Sequence, residues 1–140
     1  MKVKEPVYEK SGNVNIPELD KELPSFSFRY IVNQDNYNLE SKKASHQLKA
    51  KVLHSLHKYS KQTWVDFIGD KKRTGVEQIG LSNLKKLKVN LPKTGFYSEI
   101  KKVAVFRVSN NEARIVGWRH KHICYILWID WDFTSYDHGS

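Results

Sequence analysis

The chain has 140 residues, of which 39% are hydrophobic and 12% aromatic, enough for one domain with a core and too much for a globally disordered chain. Its 24 Lys and Arg against 15 Asp and Glu leave a net charge of +9, a balance that favours a polyanionic partner, above all nucleic acid. No stretch approaches the ~20 apolar residues of a membrane span, and the leading MKVKEPVYEK lacks the apolar region of a signal peptide, so a cytoplasmic protein with no membrane partner is expected.

Residues 1–24 mix charge with Pro6, Gly12, Pro17 and Pro24 and carry few apolar side chains, the composition of an irregular extension; residues 25–140 form the domain. Phe26, Phe28 and Tyr30 alternate with Ser25, Ser27 and Arg29, the period of a half-buried strand, before a polar turn at 33–36. From about Glu40 to Tyr59 the apolar positions Ala44, Leu48, Val52, Leu56 and Tyr59 recur every three or four residues and predict a helix. Lys43, Lys51, His54 and Lys58 follow its wet side, with His57 nearby. Ser60 offers a cap, Trp64, Phe67 and Ile68 the apolar face of a second, shorter helix, and Gly69 its stop.

Lys71, Lys72 and Arg73 make a basic connector into the segment from Gly75 to Gly80, which is too polar and glycine-rich to assign. Leu81 to Val89 fits a short helix or a basic loop, and Pro92 and Gly95 mark a loop beyond it. Val103 to Val108 then reads as a strand, Ser109 to Glu112 as turn chemistry, and Arg114 to Arg119 as the returning strand. With a two- or four-residue loop, Arg107 pairs with Arg114 and Val105 with Val116. After a second turn at His120 and Lys121, Ile123, Tyr125, Leu127 and Ile129 alternate with Cys124, Ile126 and Trp128. Both faces are apolar, which places this strand inside the sheet. The predicted class is α+β: an N-terminal strand and two helices packed on a C-terminal three-stranded antiparallel meander.

Two cations directly across a ladder repel, so Arg107 and Arg114 are either tied down by Glu112 or a C-terminal carboxylate, or kept for an anionic ligand such as phosphate. His120 and His122 have HxH spacing, but nothing completes a zinc set, and no metal is expected. Cys124 on an interior strand reads as a small core residue; as the only cysteine it excludes an internal disulfide. Trp64, Trp128 and Trp131 read as core or rim.

Phe106-Arg107-Val108, then Asn111 to Arg119 (NEARIVGWR), Tyr125-Ile126-Leu127-Trp128-Ile129 and the terminal Tyr136-Asp137-His138 resemble the RelE/YoeB/HigB/ParE superfamily of small bacterial toxins. The similarity spans about residues 26–138. RelE itself carries a further arginine shortly before the terminal tyrosine, where this chain has Asp130, which makes a YoeB- or HigB-like histidine arrangement the nearer comparison. The resemblance implies a ribosome-dependent, metal-independent and cofactor-independent cleavage of messenger RNA by attack of a ribose 2′-hydroxyl on the adjacent phosphate. In that reading Arg107 and Arg114 hold the phosphate, Tyr136 and His138 assist proton transfer, and Glu112 is a further candidate base. Trp118 and Tyr125 stack a splayed base. Lys43, Lys51, Lys58, Lys71, Lys72, Arg73 and Arg119 bind RNA, including ribosomal RNA, and a cognate antitoxin protein covers the face. The alternative is a non-catalytic nucleic-acid or protein-binding module on the same fold, including ParE-like inhibition of gyrase.

Overall fold

The computed structural model describes residues 21–69 and 74–137. Lys71, Lys72, Arg73, His138 and most of the expected extension therefore lie outside the described residues. Within them the protein is α+β, with one α-helix, α1 (His46–Ser60), and five strands: β1 (Ser25–Ser27), β2 (Val76–Gly80), β3 (Lys102–Val108), β4 (Ala113–His120) and β5 (Ile123–Asp130). They form a single sheet in the order β1-β5-β4-β3-β2, in which β1 runs parallel to β5 and every other pair is antiparallel.

Two expectations need correction. The helix starts at His46 rather than near Glu40, because Ser45 accepts a hydrogen bond from the Leu48 amide at 3.1 Å and caps it there. Upstream, the Asn38 and Ser41 side chains accept from the amides of Glu40 and Lys43, local bonds that compete with helix formation. The second helix is only a single 3-10 turn, Val65–Phe67. Ser60 does not start it: its hydroxyl donates to the His57 carbonyl at 2.6 Å and closes α1, while Thr63 and Asp66 cap each other reciprocally around the turn. The polar segment left unassigned, Val76–Gly80, is the edge strand β2, paired residue by residue with β3. Leu81 to Val89 is a 3-10 turn, Leu81–Asn83, followed by loop.

The sheet separates two cores. On one face Val52, Leu56 and Tyr59 of α1, with Trp64 and Phe67, cover Ala104, Phe106, Ile115, Cys124, Ile126 and Ile129. On the other, Leu84, Val89, Ile100 and Tyr136 from the long loop and tail cover Val103, Val105, Val116, Leu127 and Trp128. Interior strand β5 is buried on both faces, as its sequence predicts.

Its alternation, however, does not run unbroken. Val116 pairs with Trp128 but Gly117 with Ile126, so Leu127 is an extra residue, a β-bulge. Beyond the bulge every side chain changes face: Ile129 joins the helix side and Asp130 turns to the loop side, opposite Arg114. Gly117 permits this close approach, since a Cβ there would collide with the Cys124 sulfur and sit 3.2 Å from the Tyr125 carbonyl oxygen. Gly117→Ala is expected to cost about 2 kcal/mol, the range for overpacking a filled core, and to lower the urea midpoint with an unchanged denaturant slope. An unaltered midpoint overturns this account of the bulge.

Candidate functional site

Arg107 and Arg114 are cross-strand partners on β3 and β4, in the register the sequence predicts. The loop between them is the four-residue option, Ser109 to Glu112, made possible by positive φ at Ser109 (51°) and Asn111 (62°). Both arginines are half-buried on the loop side of the sheet, and the row continues to Asp130 on β5.

Asp130 is fully buried and organises the tail beyond β5. Its carboxylate accepts from the Thr134 amide at 2.9 Å, the Ser135 amide at 3.3 Å and the Ser135 hydroxyl at 2.6 Å. Trp128 Nε1 donates to the same Ser135 oxygen at 3.1 Å. These bonds turn the chain back on itself, and two backbone contacts then hold it against the loop: Lys88 N to Ser135 O at 2.7 Å and Asp137 N to Lys85 O at 2.8 Å. Tyr136 lies between them and is 6% exposed, with Arg114 donating to its hydroxyl at 3.5 Å. Arg114 also lies over the Phe133 ring at 5.3 Å and reaches Asn111 Oδ1.

These groups form a cleft of about 260 Å³ lined by Arg107, Arg114, Tyr136, Asp137, Glu77, Ile79, Asn83 and Leu84. Burial pushes the Tyr136 phenol above its ordinary pKa, and the Arg114 guanidinium only partly opposes it. The hydroxyl therefore keeps its proton throughout the neutral range. Arg107 forms no ion pair with a carboxylate among the described residues; its backbone accepts from the Tyr59 hydroxyl at 2.8 Å and donates to the Gly75 carbonyl at 2.8 Å. Two guanidinium groups, a protonated phenol and carboxylates at the rim can bind a phosphodiester and exchange protons with it.

Other expected site residues fall elsewhere. Glu112 does not bridge the arginines; it pairs with Lys51 at 2.7 Å, across an exposed contact between the hairpin turn and α1. Lys43 is held by Asp132 at 3.0 Å. Trp118 and Tyr125 are neighbours on β4 and β5 and pack with Tyr30, Phe96 and Tyr97 at the far end of the sheet, away from the lining of the cleft. Arg119 lies over Trp64 at 4.5 Å on the helix side. Lys51 and Lys58, by contrast, line a second groove of about 470 Å³ with His54, Ser55, Tyr59, Thr74, Gly75, Arg107 and Ser109.

Sequence reasoning does not find Glu77 or Asp130 as site residues. Glu77 sits on a strand that its polar sequence conceals. Asp130 would face the other side of the sheet on an unbroken alternation, and the only sequence signal for the bulge is the glycine at 117.

Comparison of the chain with protein-family models, with curated proteins and with solved structures returned no match. Among the described residues no helix is long and apolar enough to cross a membrane.

Proposed function

We propose that this protein is a metal-independent endoribonuclease of the RelE-like kind, the toxin of a toxin-antitoxin pair, acting on messenger RNA held by the ribosome. The observation that carries the reading is the meeting of Arg107 and Arg114 across the β-ribbon with the Tyr136 hydroxyl 3.5 Å from Arg114. A carboxylate of the cleft wall, Glu77 or Asp137, or His138, which follows Asp137 in the sequence, takes the 2′-hydroxyl proton as the 2′-oxygen bonds to phosphorus. The two arginines neutralise the charge that grows on the phosphoryl oxygens. As the bond from phosphorus to the 5′-oxygen breaks, the Tyr136 phenol delivers its proton to that leaving group, and Arg114 stabilises the phenolate left behind. The products are a 2′,3′-cyclic phosphate and a 5′-hydroxyl. Ribosomal RNA and an antitoxin covering the cleft complete the proposed set of partners.

Primer extension on messages from cells expressing the chain tests this. Wild type is expected to create new 5′ ends within translated codons, and Tyr136→Phe, which keeps the ring and removes the proton donor, is expected to reduce them about 10²-fold. Growth arrest with intact messages overturns the enzyme and leaves the non-catalytic binding module.

A further inference from the structure

The groove between α1 and the hairpin differs in character from the arginine cleft. Lys51, His54 and Lys58 come from one face of α1, Arg107 and Ser109 from the end of β3 and its turn, and among the described residues no carboxylate lines it. The arginine cleft, by contrast, has Glu77 and Asp137 in its wall. Arg107 lines both. Arg107 is thus common to the two linings, at the place where the ladder between β2 and β3 stops at Val76 and Phe106.

The floor at that junction is built to stay in place. The buried Tyr59 hydroxyl lies within hydrogen-bonding distance of the Gly75 carbonyl, at 3.3 Å, and of the Arg107 carbonyl, at 2.8 Å, tying α1 to the sheet edge. Gly75 has φ +75°, and a Cβ there would come within 2.6 Å of that hydroxyl, so the glycine is what lets Tyr59 close against the backbone at this point.

We propose that this groove is a second phosphate site for the same single strand of RNA, so that the strand runs from α1 across Arg107 into the arginine cleft. The inference rests on the ribonuclease reading for the identity of the strand. It reassigns Lys51 and Lys58 from a separate contact with ribosomal RNA to the path of the message itself. A chain of phosphates suits the groove because its cations are spread along a helix face rather than gathered at one point, and because Ser109 adds a hydroxyl that can donate to a phosphate oxygen. Glu112, paired with Lys51 across an exposed contact, occupies that lysine until a phosphate displaces it.

The test is binding of an uncleavable, fully 2′-O-methylated single-stranded RNA of about ten nucleotides to the intact chain, followed by fluorescence anisotropy over a range of salt. Lys58→Ala is expected to weaken binding about fivefold near 0.1 M salt and to reduce the slope of log K against log salt by about 0.7, the signature of one lost phosphate contact on a single strand. Lys93→Ala removes the same charge from an exposed loop outside both spaces and is expected to change neither. Equal effects from the two variants, or a slope indifferent to Lys58→Ala, overturn the proposal. So does an acidic peptide of matched charge that competes as well as the RNA, which reassigns the groove to a protein partner. Because the probe cannot be cut, a Lys58-dependent slope without any message cleavage sinks the ribonuclease alone, whereas cleavage with an indifferent slope sinks the groove alone.

Discussion

Arg114→Ala is expected to lower the single-turnover rate of message cleavage on the ribosome by about 10²- to 10³-fold, the loss typical of removing one donor from a developing oxyanion. Arg114 has the better geometry of the two arginines for this role. It is cross-strand partner to both Arg107 and Asp130, lies over Phe133 at 5.3 Å and donates to the Tyr136 hydroxyl, so its planar group is held by contacts on several sides. A fixed cation costs no reorganisation as charge develops. Arg114→Lys keeps the charge but loses the forked geometry, and is expected to recover only about one tenfold step of the loss. The backbone ladder does not involve the substituted side chain, so circular dichroism should show both variants folded. A rate that survives Arg114→Ala in a folded protein removes the arginine pair from the chemistry.

Much of this cleft is legible in the sequence, and the reason is local. Strand alternation in Val103 to Val108 and in Arg114 to Arg119, with turn residues between, fixes which side chains meet, so the pairing of Arg107 with Arg114 comes from period and loop length alone. The illegible parts depend on contacts distant in sequence. A bulge at Leu127 has no composition of its own, yet it decides the face of Asp130. Val76–Gly80 looks too polar for a strand because it is an edge, with pairing on one side only. The second helix fails because the segment after Lys61 puts Trp64 and Phe67 into the core with a single turn, and then has no further apolar face to bury. Trp118 shares β4 with Arg114, and Tyr125 is its partner on β5, which is why alternation alone sets them beside the cleft; Val105 and Val116, packed under Leu84, Val89 and Ile100, lie between the two ends of that face.

Asp130→Ala is expected to destabilise the protein by about 3 to 5 kcal/mol, a large part of the roughly 5–15 kcal/mol available to an ordinary domain. The carboxylate satisfies two amides and a hydroxyl at once, and Ser135 is itself wholly buried, so truncation strands polar groups that water cannot easily reach. Each stranded group costs about 1–3 kcal/mol. Asp130→Asn separates hydrogen bonding from charge. Its carbonyl can still accept from the two amides, but its amide nitrogen faces a Ser135 hydroxyl that already accepts from Trp128, leaving that hydroxyl proton without an acceptor. About half the loss is therefore expected for Asp130→Asn, read from urea midpoints at constant slope. The phenol of Tyr136 gives a second readout that general destabilisation does not mimic. Burial is the largest influence raising its pKa, and the charge of Asp130 raises it further, so release of the tail should let it fall toward the ordinary value of about 10 even though the Arg114 contact is lost as well. Ultraviolet difference titration of folded Asp130→Ala, with Tyr136→Phe identifying the transition, measures that fall. If stability and phenol both stay where they are, the tail is held by its backbone bonds to Lys85 and Lys88 alone, and Asp130 does not position Tyr136.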